Sequence, residues 1–515
     1  MKFHRIAVFI LLNIAVIITT TALISFFLKE QQVSADEKRL GALYTQILDG
    51  ASNTPVDVTI DYASPVSVGS PLVFGGSHAP LVEHQDAWDK IAEAGVTSIR
   101  KDLFMERAIP DTTIDNYKRN IGGVADIKNW KQNEINNISA IFENARKRNM
   151  KTIGILAYTP GWLTYTGTGN GVPKDWGVFE DITKKTYQIH RNHLDYLEIW
   201  NEPNFDYFLN PAGSGISQDI AYQKMFTHAV KAIREVDNEI NDGKKIAIGG
   251  PVGYDPFKTS TLEKIVSNKD LVKDLDFVSY HNYDAKHLKE PSWDNYKRIL
   301  TKYNVANKPI YITEWNYEPD DKAPTPKNTG VPALLYTADK FFSFLTMGLT
   351  GANYHVLEPL NKNKPNNGEG YYGFYKWENG QAELQPQAKT WRLLSNKMGL
   401  GKGASKIFLP KTGTAPLKTI GFINAAGQEG LALINDTETG ALINLNLANG
   451  KPKNYIKTTV YQASEAQDAT APLYEGLTKA KEGNVTGTFY VPAQTVMGIL
   501  FTEEKEWFEL PNLIH

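Results

Sequence analysis

The sequence from residue 71 to about residue 395 repeats one order of elements eight times: a short apolar strand, a loop and an amphipathic helix. The first predicted strand covers residues 71–76, and the eighth covers residues 352–356. A helix between two parallel strands returns the chain to the edge at which the next strand begins. The repeat therefore predicts an α/β fold, a parallel (β/α)8 TIM barrel with its reactive side chains on the loops after the strands.

The pattern changes after residue 395, where strands continue but helical periodicity ends. Strands are predicted at residues 429–435, 441–447, 455–461 and 488–501, separated by Gly, Asn, Pro and Lys. This meander predicts a C-terminal antiparallel β-sandwich domain. An alternating strand near residues 56–60 is expected to join it.

The 515 residues are enough for two hydrophobic cores, and we divide them into four segments. Residues 1–35 are predicted to be a signal anchor or transmembrane segment, and residues 36–54 a tether. Residues 55–395 form the predicted barrel, although residues 55–70 are expected to pair with the sandwich. Residues 396–515 form the predicted β-sandwich.

An uncharged apolar run from Ile6 to Leu28 follows a basic amino terminus. The run is long enough to span a bilayer, and its basic flank is expected to stay in the cytoplasm. The triplet Val33-Ser34-Ala35 also has the spacing of a signal-peptidase site. We therefore predict membrane anchoring with the folded domains on the extracytoplasmic side, or secretion if the chain is cleaved after Ala35.

Composition excludes several classes of function. A net charge of -2 gives no reason to expect a nucleic acid partner, and the absence of cysteine excludes disulfides and thiolate metal sites. The histidines His84, His190 and His287 lack metal-ligand spacing, and no dinucleotide fingerprint is present. We predict neither a metal nor a cofactor; the oligomeric state stays open.

Two predicted strands end in a glutamate. The strand that ends near Trp200 is followed by Asn201, Glu202 and Pro203, and Pro203 should stop the strand because it cannot donate a ladder hydrogen bond. The strand at residues 309–314 ends in Glu314. Carboxyl ends of parallel barrel strands face one opening, so the two carboxylates are expected to meet there.

Two facing carboxylates suit glycoside hydrolysis, which needs one protonated carboxyl and one ionised carboxylate. A separation of roughly 5 to 5.5 Å lets the ionised group act as a nucleophile, with retention of configuration. Hydrogen-bond donors would hold that group ionised, and Arg100, His281 and Tyr283 lie at the ends of nearby predicted strands. The alternatives are that Arg100 is a structural ion-pair partner and that His281 is a packing residue.

The motifs IWNEPN at residues 199–204 and ITEWN at residues 312–316 resemble the paired motifs of clan A glycoside hydrolases. The resemblance is greatest to family 39, which includes β-xylosidases, α-L-iduronidases and bacterial exopolysaccharide hydrolases, and it covers about residues 71–360. It implies that Glu202 is the general acid/base, Glu314 the nucleophile and Asn201 a partner of the sugar 2-hydroxyl. The eighth strand departs from the clan, because Tyr354 and His355 stand where many clan members carry tryptophan.

Aromatic side chains on the loops after the predicted strands indicate a sugar-binding groove. The predicted substrate-binding residues are Tyr158, Trp162 and Trp315, together with Arg100, Asn201, His281 and Tyr283 near the two glutamates. Further aromatic candidates are Phe205, Tyr207, Phe208, Tyr317, Tyr371, Tyr372 and Trp377. Their spread over several loops predicts a groove open at both ends and endo-acting cleavage.

The sequence thus predicts a retaining glycosidase that acts on an extracellular or cell-surface polysaccharide or oligosaccharide. The alternatives are a non-catalytic polysaccharide-binding or assembly protein on a barrel scaffold, and a transglycosylase with the same residues. The sugar and the linkage stay open.

Overall fold

The computed structural model describes residues 27–36, 38–39, 52–287, 292–318, 327, 329–358, 373–411, 416–450, 455–481 and 484–503. The chain divides into two compact units. One comprises residues 1–68, 397–399 and 405–515, and the other comprises residues 69–396 and 400–404.

The described strands are, in chain order, β1 Ser52–Asp61, β2 Ser67–Gly69, β3 Gly75–Ser77, β4 Ser98–Asp102, β5 Lys151–Leu156, β6 Tyr196–Ile199, β7 Ala247–Gly253, β8 Phe277–Tyr283, β9 Ile310–Asn316, β10 Gly351–Tyr354, β11 Tyr375–Glu378, β12 Gln381–Leu384, β13 Ser405–Phe408, β14 Lys418–Ile423, β15 Glu429–Asn435, β16 Ala441–Ala448, β17 Tyr455–Ala463, β18 Tyr474–Lys481, β19 Asn484–Val491 and β20 Thr495–Glu503.

The described helices are α1 over residues 27–36, α2 Gln85–Ala94, α3 Met105–Ala108, α4 Ile114–Lys118, α5 Gln132–Lys147, α6 Trp176–His190, α7 Gln218–Ile240, α8 Ser260–Val266, α9 Asp284–His287, α10 Ser292–Lys302, α11 Gly330–Met347 and α12 Pro386–Trp391.

The strands β3 to β10 form a closed parallel barrel in the order β10-β3-β4-β5-β6-β7-β8-β9. Amphipathic helices bury one face each; α7, for example, buries Tyr222, Phe226 and Ile233 and exposes most of its charged residues. Local signals end the helices as expected: Gly95 closes α2 in the left-handed conformation, with φ 93°. The predicted (β/α)8 barrel is confirmed.

The first barrel strand is shorter than predicted. Residues Pro71–Phe74 form a 3-10 helix, and the strand itself is only Gly75–Ser77. The cause is local, because the Leu72 N–H donates to Ser70 Oγ at 3.2 Å and Pro71 is preorganised for the first position of a helix. Apolar content alone did not reveal this cap.

The second unit is a ten-stranded sheet in the order β1-β16-β19-β18-β17-β20-β15-β14-β13-β2. Residues from both halves of the sheet form one hydrophobic cluster, including Ile443, Phe489, Leu431 and Ile499, so the sheet folds over a shared core as a sandwich. The predicted strand 488–501 is wrong as one element, since Pro492 separates β19 from β20. The pairing of β1 with β16 is parallel, whereas the ladders among β13 to β20 are antiparallel.

The predicted membrane segment, Ile6 to Leu28, lies outside the described residues except for Phe27 and Leu28, which are part of α1. Within the described part of the chain, no helix combines the length and the apolar character needed to cross a bilayer.

Candidate active site

The two predicted catalytic glutamates lie at the carboxyl end of the barrel. Glu202 follows β6, and Glu314 lies near the end of β9. A β-bulge adjusts the register between β8 and β9, so that Tyr280 pairs with Ile312 but His281 pairs with Glu314. The bulge places the imidazole and the carboxylate side by side on neighbouring strands.

The backbone around Glu202 has an unusual conformation. Trp200, Glu202 and Val252 have positive φ angles of 72°, 46° and 58°, a region that costs a non-glycine residue on the order of 1–3 kcal/mol. The Glu202 N–H donates to the Val252 carbonyl at 3.0 Å. The turn after β6 is thus fixed to the end of β7, and it presents the Glu202 side chain to the barrel opening.

Arg100 on β4 connects the groups beneath the opening. Its Nε donates to Glu198 Oε2 at 2.6 Å, its Nη1 to Glu314 Oε1 at 2.7 Å and its Nη2 to Asn201 Oδ1 at 3.1 Å. The Arg100 side chain is 1% exposed. Because the guanidinium is planar and rigid, these three bonds fix the two carboxylates and the Asn201 amide relative to one another.

Glu314 accepts from several further groups. Tyr283 Oη donates to Glu314 Oε2 at 2.5 Å, and Nδ1 of His281 and Nδ1 of His355 each lie 3.4 Å from the same oxygen. Burial alone would raise the pKa of the Glu314 carboxyl, but the charges of His281, His355 and Arg100 together lower it well below its usual range. Glu314 is therefore an ionised carboxylate.

Glu202 has the opposite environment. Burial, and then the negative charge of Glu314, raise the pKa of Glu202 well above its ordinary value. The positive charge of Arg100 opposes this rise only in part. His281 Nδ1 lies 2.6 Å from Glu202 Oε1. The same nitrogen lies 3.4 Å from Glu314 Oε2, so His281 contacts both carboxyl groups.

The two carboxylates are close. One ligand atom each from Glu202, His281 and Glu314 lie within 4.8 Å of one another, so the nearest carboxylate oxygens of the pair are no farther apart than that. The pair combines a protonated acid with an ionised carboxylate, and environments that separate two pKa values in this way assign acid and base roles.

Groups of this kind could also bind a metal ion. His78, His355 and Glu314 also place three potential ligand atoms within 4.8 Å of one another. A cation there would have to displace the guanidinium and the tyrosine hydroxyl that donate to the two Glu314 oxygens. The donor set thus already balances the charge of Glu314, and the expectation that no metal takes part stays a prediction.

Two of the predicted substrate-binding residues lie beside this centre. The Asn201 Nδ2 donates to Tyr158 Oη at 3.5 Å, and the Tyr158 ring contacts that of Trp200 edge to face at 5.2 Å. The ring of Trp162 instead lies 5.5 Å from that of Tyr117 in α4. These contacts connect Trp162 to an outer helix, and its role in binding stays a prediction.

The prediction that Trp315 lines the groove is wrong. Its side chain has no exposed surface and stacks on Trp391 at 5.9 Å, with Phe344 edge-on at 5.2 Å. Successive side chains on a strand point to opposite faces, so a neighbour that points into the barrel forces Trp315 outward, toward the helices. Its position next to Glu314 in the sequence had suggested that it faces the groove.

Other aromatic side chains are exposed. Tyr165, Phe205 and Tyr207 on the loops after β5 and β6 are 44%, 41% and 71% exposed. Asn170 connects the two loops, because its Nδ2 donates to the Tyr207 carbonyl at 2.8 Å. Trp377 stacks on the His84 ring at 3.7 Å. Two further candidates, at positions 371 and 372, lie outside the described residues.

Sequence reasoning missed Glu198 and gave His355 no role. Glu198 lies within β6 with no exposed surface and forms the ion pair with Arg100. A charged residue inside an apolar strand was the available signal, since such a group is buried only when it is paired. From the sequence, His355 is only a departure from the clan A pattern, with no predicted function.

A sequence model described as glycosyl hydrolases family 39 matches residues 185–336, which include both glutamates. A β-xylosidase from Caldicellulosiruptor saccharolyticus is 26% identical over 215 residues, 36% of this chain and 41% of that protein. The chain thus matches about two fifths of the length of this curated relative.

Two solved structures have a similar fold. The GH39 enzyme from Xanthomonas axonopodis pv. citri has a TM-score of 0.61 and 12% identity, over 88% of this chain and 98% of the other. A GH39 β-xylosidase from Caulobacter crescentus has a TM-score of 0.58 and 14% identity, over 86% and 99%. At these identities the structures show the fold alone. The likeness to family 39 predicted from the motifs is confirmed by the sequence comparisons, which support a glycosidase.

Proposed function

We propose that this relative of the family 39 glycoside hydrolases cleaves O-glycosidic bonds with retention of configuration. The observation that carries the proposal is the pair Glu202 and Glu314, with carboxylate oxygens no more than 4.8 Å apart and opposite protonation states. Inverting enzymes hold their carboxyl groups roughly 6.5–9.5 Å apart to admit a water molecule. The close spacing favours direct attack by one carboxylate.

In the first step, Glu314 attacks the anomeric carbon while Glu202 gives its proton to the departing glycosidic oxygen. The products of this step are a glycosyl ester on Glu314, the released alcohol and an ionised Glu202. In the second step, Glu202 takes a proton from water, and the oxygen of that water displaces Glu314 from the anomeric carbon. Arg100 and Tyr283 hold the free Glu314 carboxylate in place before the attack, because each donates to a different carboxylate oxygen.

A binding protein on the same scaffold is the second candidate from the sequence. Binding alone would not require a buried acid beside a buried carboxylate, an arrangement that costs stability unless the charges are compensated. The transglycosylase alternative differs only in the acceptor of the second step, a sugar hydroxyl in place of water. Product analysis separates the two.

We further propose a polysaccharide or oligosaccharide substrate and endo-acting cleavage. The exposed aromatic rings of Tyr165, Phe205 and Tyr207 are spread over two loops beyond the carboxylates, as expected for a groove that holds several sugar rings. The curated relative is a β-xylosidase, which makes xylosides the first aryl glycosides to test.

The test is hydrolysis of purified polysaccharides and of aryl glycosides, with the anomeric configuration of the first product followed by NMR. We expect retained configuration and, from polysaccharides, a ladder of oligosaccharides. The control is the double variant E202Q/E314Q, which keeps the shape of the site. Inverted product would contradict the proposed mechanism, and release of monosaccharides alone would contradict endo cleavage.

We also propose that the amino-terminal segment is retained and anchors the protein, with the barrel on the extracytoplasmic side. In support, Val33 of α1 is buried against Leu477 of β18. The Leu477 N–H also donates to the Asp36 carboxylate at 2.9 Å. Residues around the candidate cleavage site are thus packed against the β-sandwich.

The chain contains no cysteine, so an engineered pair gives a clean test of this packing. We expect V33C/L477C to form a disulfide in the membrane fraction, and the pair F27C/L477C, with Phe27 62% exposed, to stay reduced. Sequencing of the mature amino terminus provides the independent measurement. If Asp36 is the first residue, the anchor proposal is wrong and the protein is secreted.

A further inference from the structure

His355, the residue that follows β10, lies beside Glu314. Its Nδ1 lies 3.4 Å from Glu314 Oε2, and its side chain is 8% exposed. The mechanism described above does not use this imidazole.

The backbone of His355 is attached to β9 on both sides. Its N–H donates to the Trp315 carbonyl at 3.0 Å, and its carbonyl accepts from Asn316 Nδ2 at 2.6 Å. Trp315 and Asn316 are the two residues that follow Glu314. The position of the imidazole is therefore fixed relative to the carboxylate, as a positioning group requires.

The surroundings of His355 assign a proton to Nδ1. Ser77 Oγ lies 3.5 Å from this nitrogen and donates its own proton to the Tyr354 carbonyl at 3.2 Å. With its proton turned to that carbonyl, Ser77 accepts from His355, and the ionised Glu314 can only accept. A nitrogen between two acceptors must carry a proton, which is directed toward them.

We propose that His355 is a positioning residue for the nucleophile: its Nδ1–H pairs with Glu314 Oε2 and keeps the carboxylate ionised and oriented for attack. The proposal rests on the proposed function. His281 cannot replace it, because His281 Nδ1 lies closer to Glu202, at 2.6 Å, than to Glu314, at 3.4 Å. Tyr283 and His355 are then the donors committed to this oxygen.

Other titratable groups also face Glu314. Arg100 from β4 contacts the other oxygen, His281 and Tyr283 approach from β8, and Glu202 approaches from the loop after β6. His78, the residue after β3, has a ring nitrogen within 4.8 Å of a Glu314 carboxylate oxygen.

Among the described residues, the titratable groups seen against His355 include Glu314, Tyr283 and His78. The ring of Tyr283 lies 5.8 Å away, and that of His78 lies 5.0 Å away edge to face. Burial, and then the charge of His355, hold the pKa of His78 well below its usual range. His78 is therefore neutral.

The test compares H355L, which removes the donor, with H355N, whose amide Nδ2 replaces Nδ1. For H355L, we expect the acidic limb of kcat/KM to move upward by about one to two pH units, because a lost charge-assisted hydrogen bond to a carboxylate changes its proton affinity by that amount. H355N should recover part of the shift. The matched control is H228L, which removes a histidine paired with Glu180 outside the site and should leave the limb unchanged.

The proposal would be overturned if the acidic limb of kcat/KM in H355L lay at the same pH as in the wild type. It would also be overturned if the limb of H355N were shifted as far as that of H355L. Direct NMR titration of the Glu314 side-chain carboxyl gives a readout that does not depend on turnover. If the wild type hydrolyses nothing, the proposed function fails. The titration still decides the role of His355, because the Glu314 pKa must rise in H355L if the pairing exists.

Discussion

Replacement of Glu314 with alanine should abolish hydrolysis, with a loss in kcat on the order of 10⁴-fold or more. The physical reason is that, among the described residues in contact with Glu314 from β4, β8 and the residue after β10, none offers a second carboxylate at this position. Arg100 and Tyr283, which donate to its two oxygens, cannot attack carbon in its place. The measurement is hydrolysis of an aryl glycoside with a good leaving group, for which acid catalysis matters least.

Azide provides a second measurement on the same variant. The space left by the side chain admits the anion, which should attack the anomeric carbon from the vacated face and give a sugar azide of inverted configuration. The matched control is E180A, which removes a surface carboxylate paired with His228 and should keep full activity. Substantial hydrolysis by E314A would contradict the role of Glu314.

Replacement of Glu202 with alanine should reduce hydrolysis of substrates with poor leaving groups by about 10²- to 10⁴-fold. Activated aryl glycosides need little protonation, so their first step should survive and the glycosyl-enzyme should accumulate. Azide should rescue turnover and give a sugar azide of retained configuration, because it attacks the covalent intermediate. Mass spectrometry of the accumulated intermediate, with the label on Glu314, gives the direct check.

The pH dependence of the same variant provides a further test of Glu202. Its carboxyl must be protonated to act as the acid, and its pKa is raised, so wild-type activity should fall as the pH rises through that value. E202A has no such group and should lose the basic limb with activated substrates. If the two alanine variants gave the opposite stereochemical pairing with azide, the roles of Glu202 and Glu314 would have to be exchanged.

The arrangement explains how two neighbouring carboxyls hold different protonation states. Arg100 contributes its charge mainly to Glu198 and Glu314, through contacts of 2.6 and 2.7 Å. Glu202 has no such contact with Arg100, and the negative charge of Glu314 raises its pKa. The missed residue Glu198 therefore matters, because it holds the guanidinium on the Glu314 side of the site.

Local patterns in the sequence were sufficient for the architecture. Alternating apolar strands and amphipathic helices predicted the barrel, because each signal depends only on neighbouring residues. The same holds for Glu202 and Glu314. Both lie at the carboxyl ends of apolar strands, which the strand pattern itself predicts, and Pro203 adds a stop signal for the strand before Glu202. Departures arose where a short-range cap intervened, as Ser70 does before the first barrel strand.

Tertiary structure decided which side chains meet. The direction of Trp315 could not be known before the barrel closed, since strand periodicity gives two faces but does not say which is inside. The bulge that aligns His281 with Glu314 depends on the pairing of β8 with β9. Contacts such as Arg100 with Glu198 and His355 with Glu314 join residues distant in the chain. They arise only because closure of the parallel barrel brings the carboxyl ends of its strands to one opening.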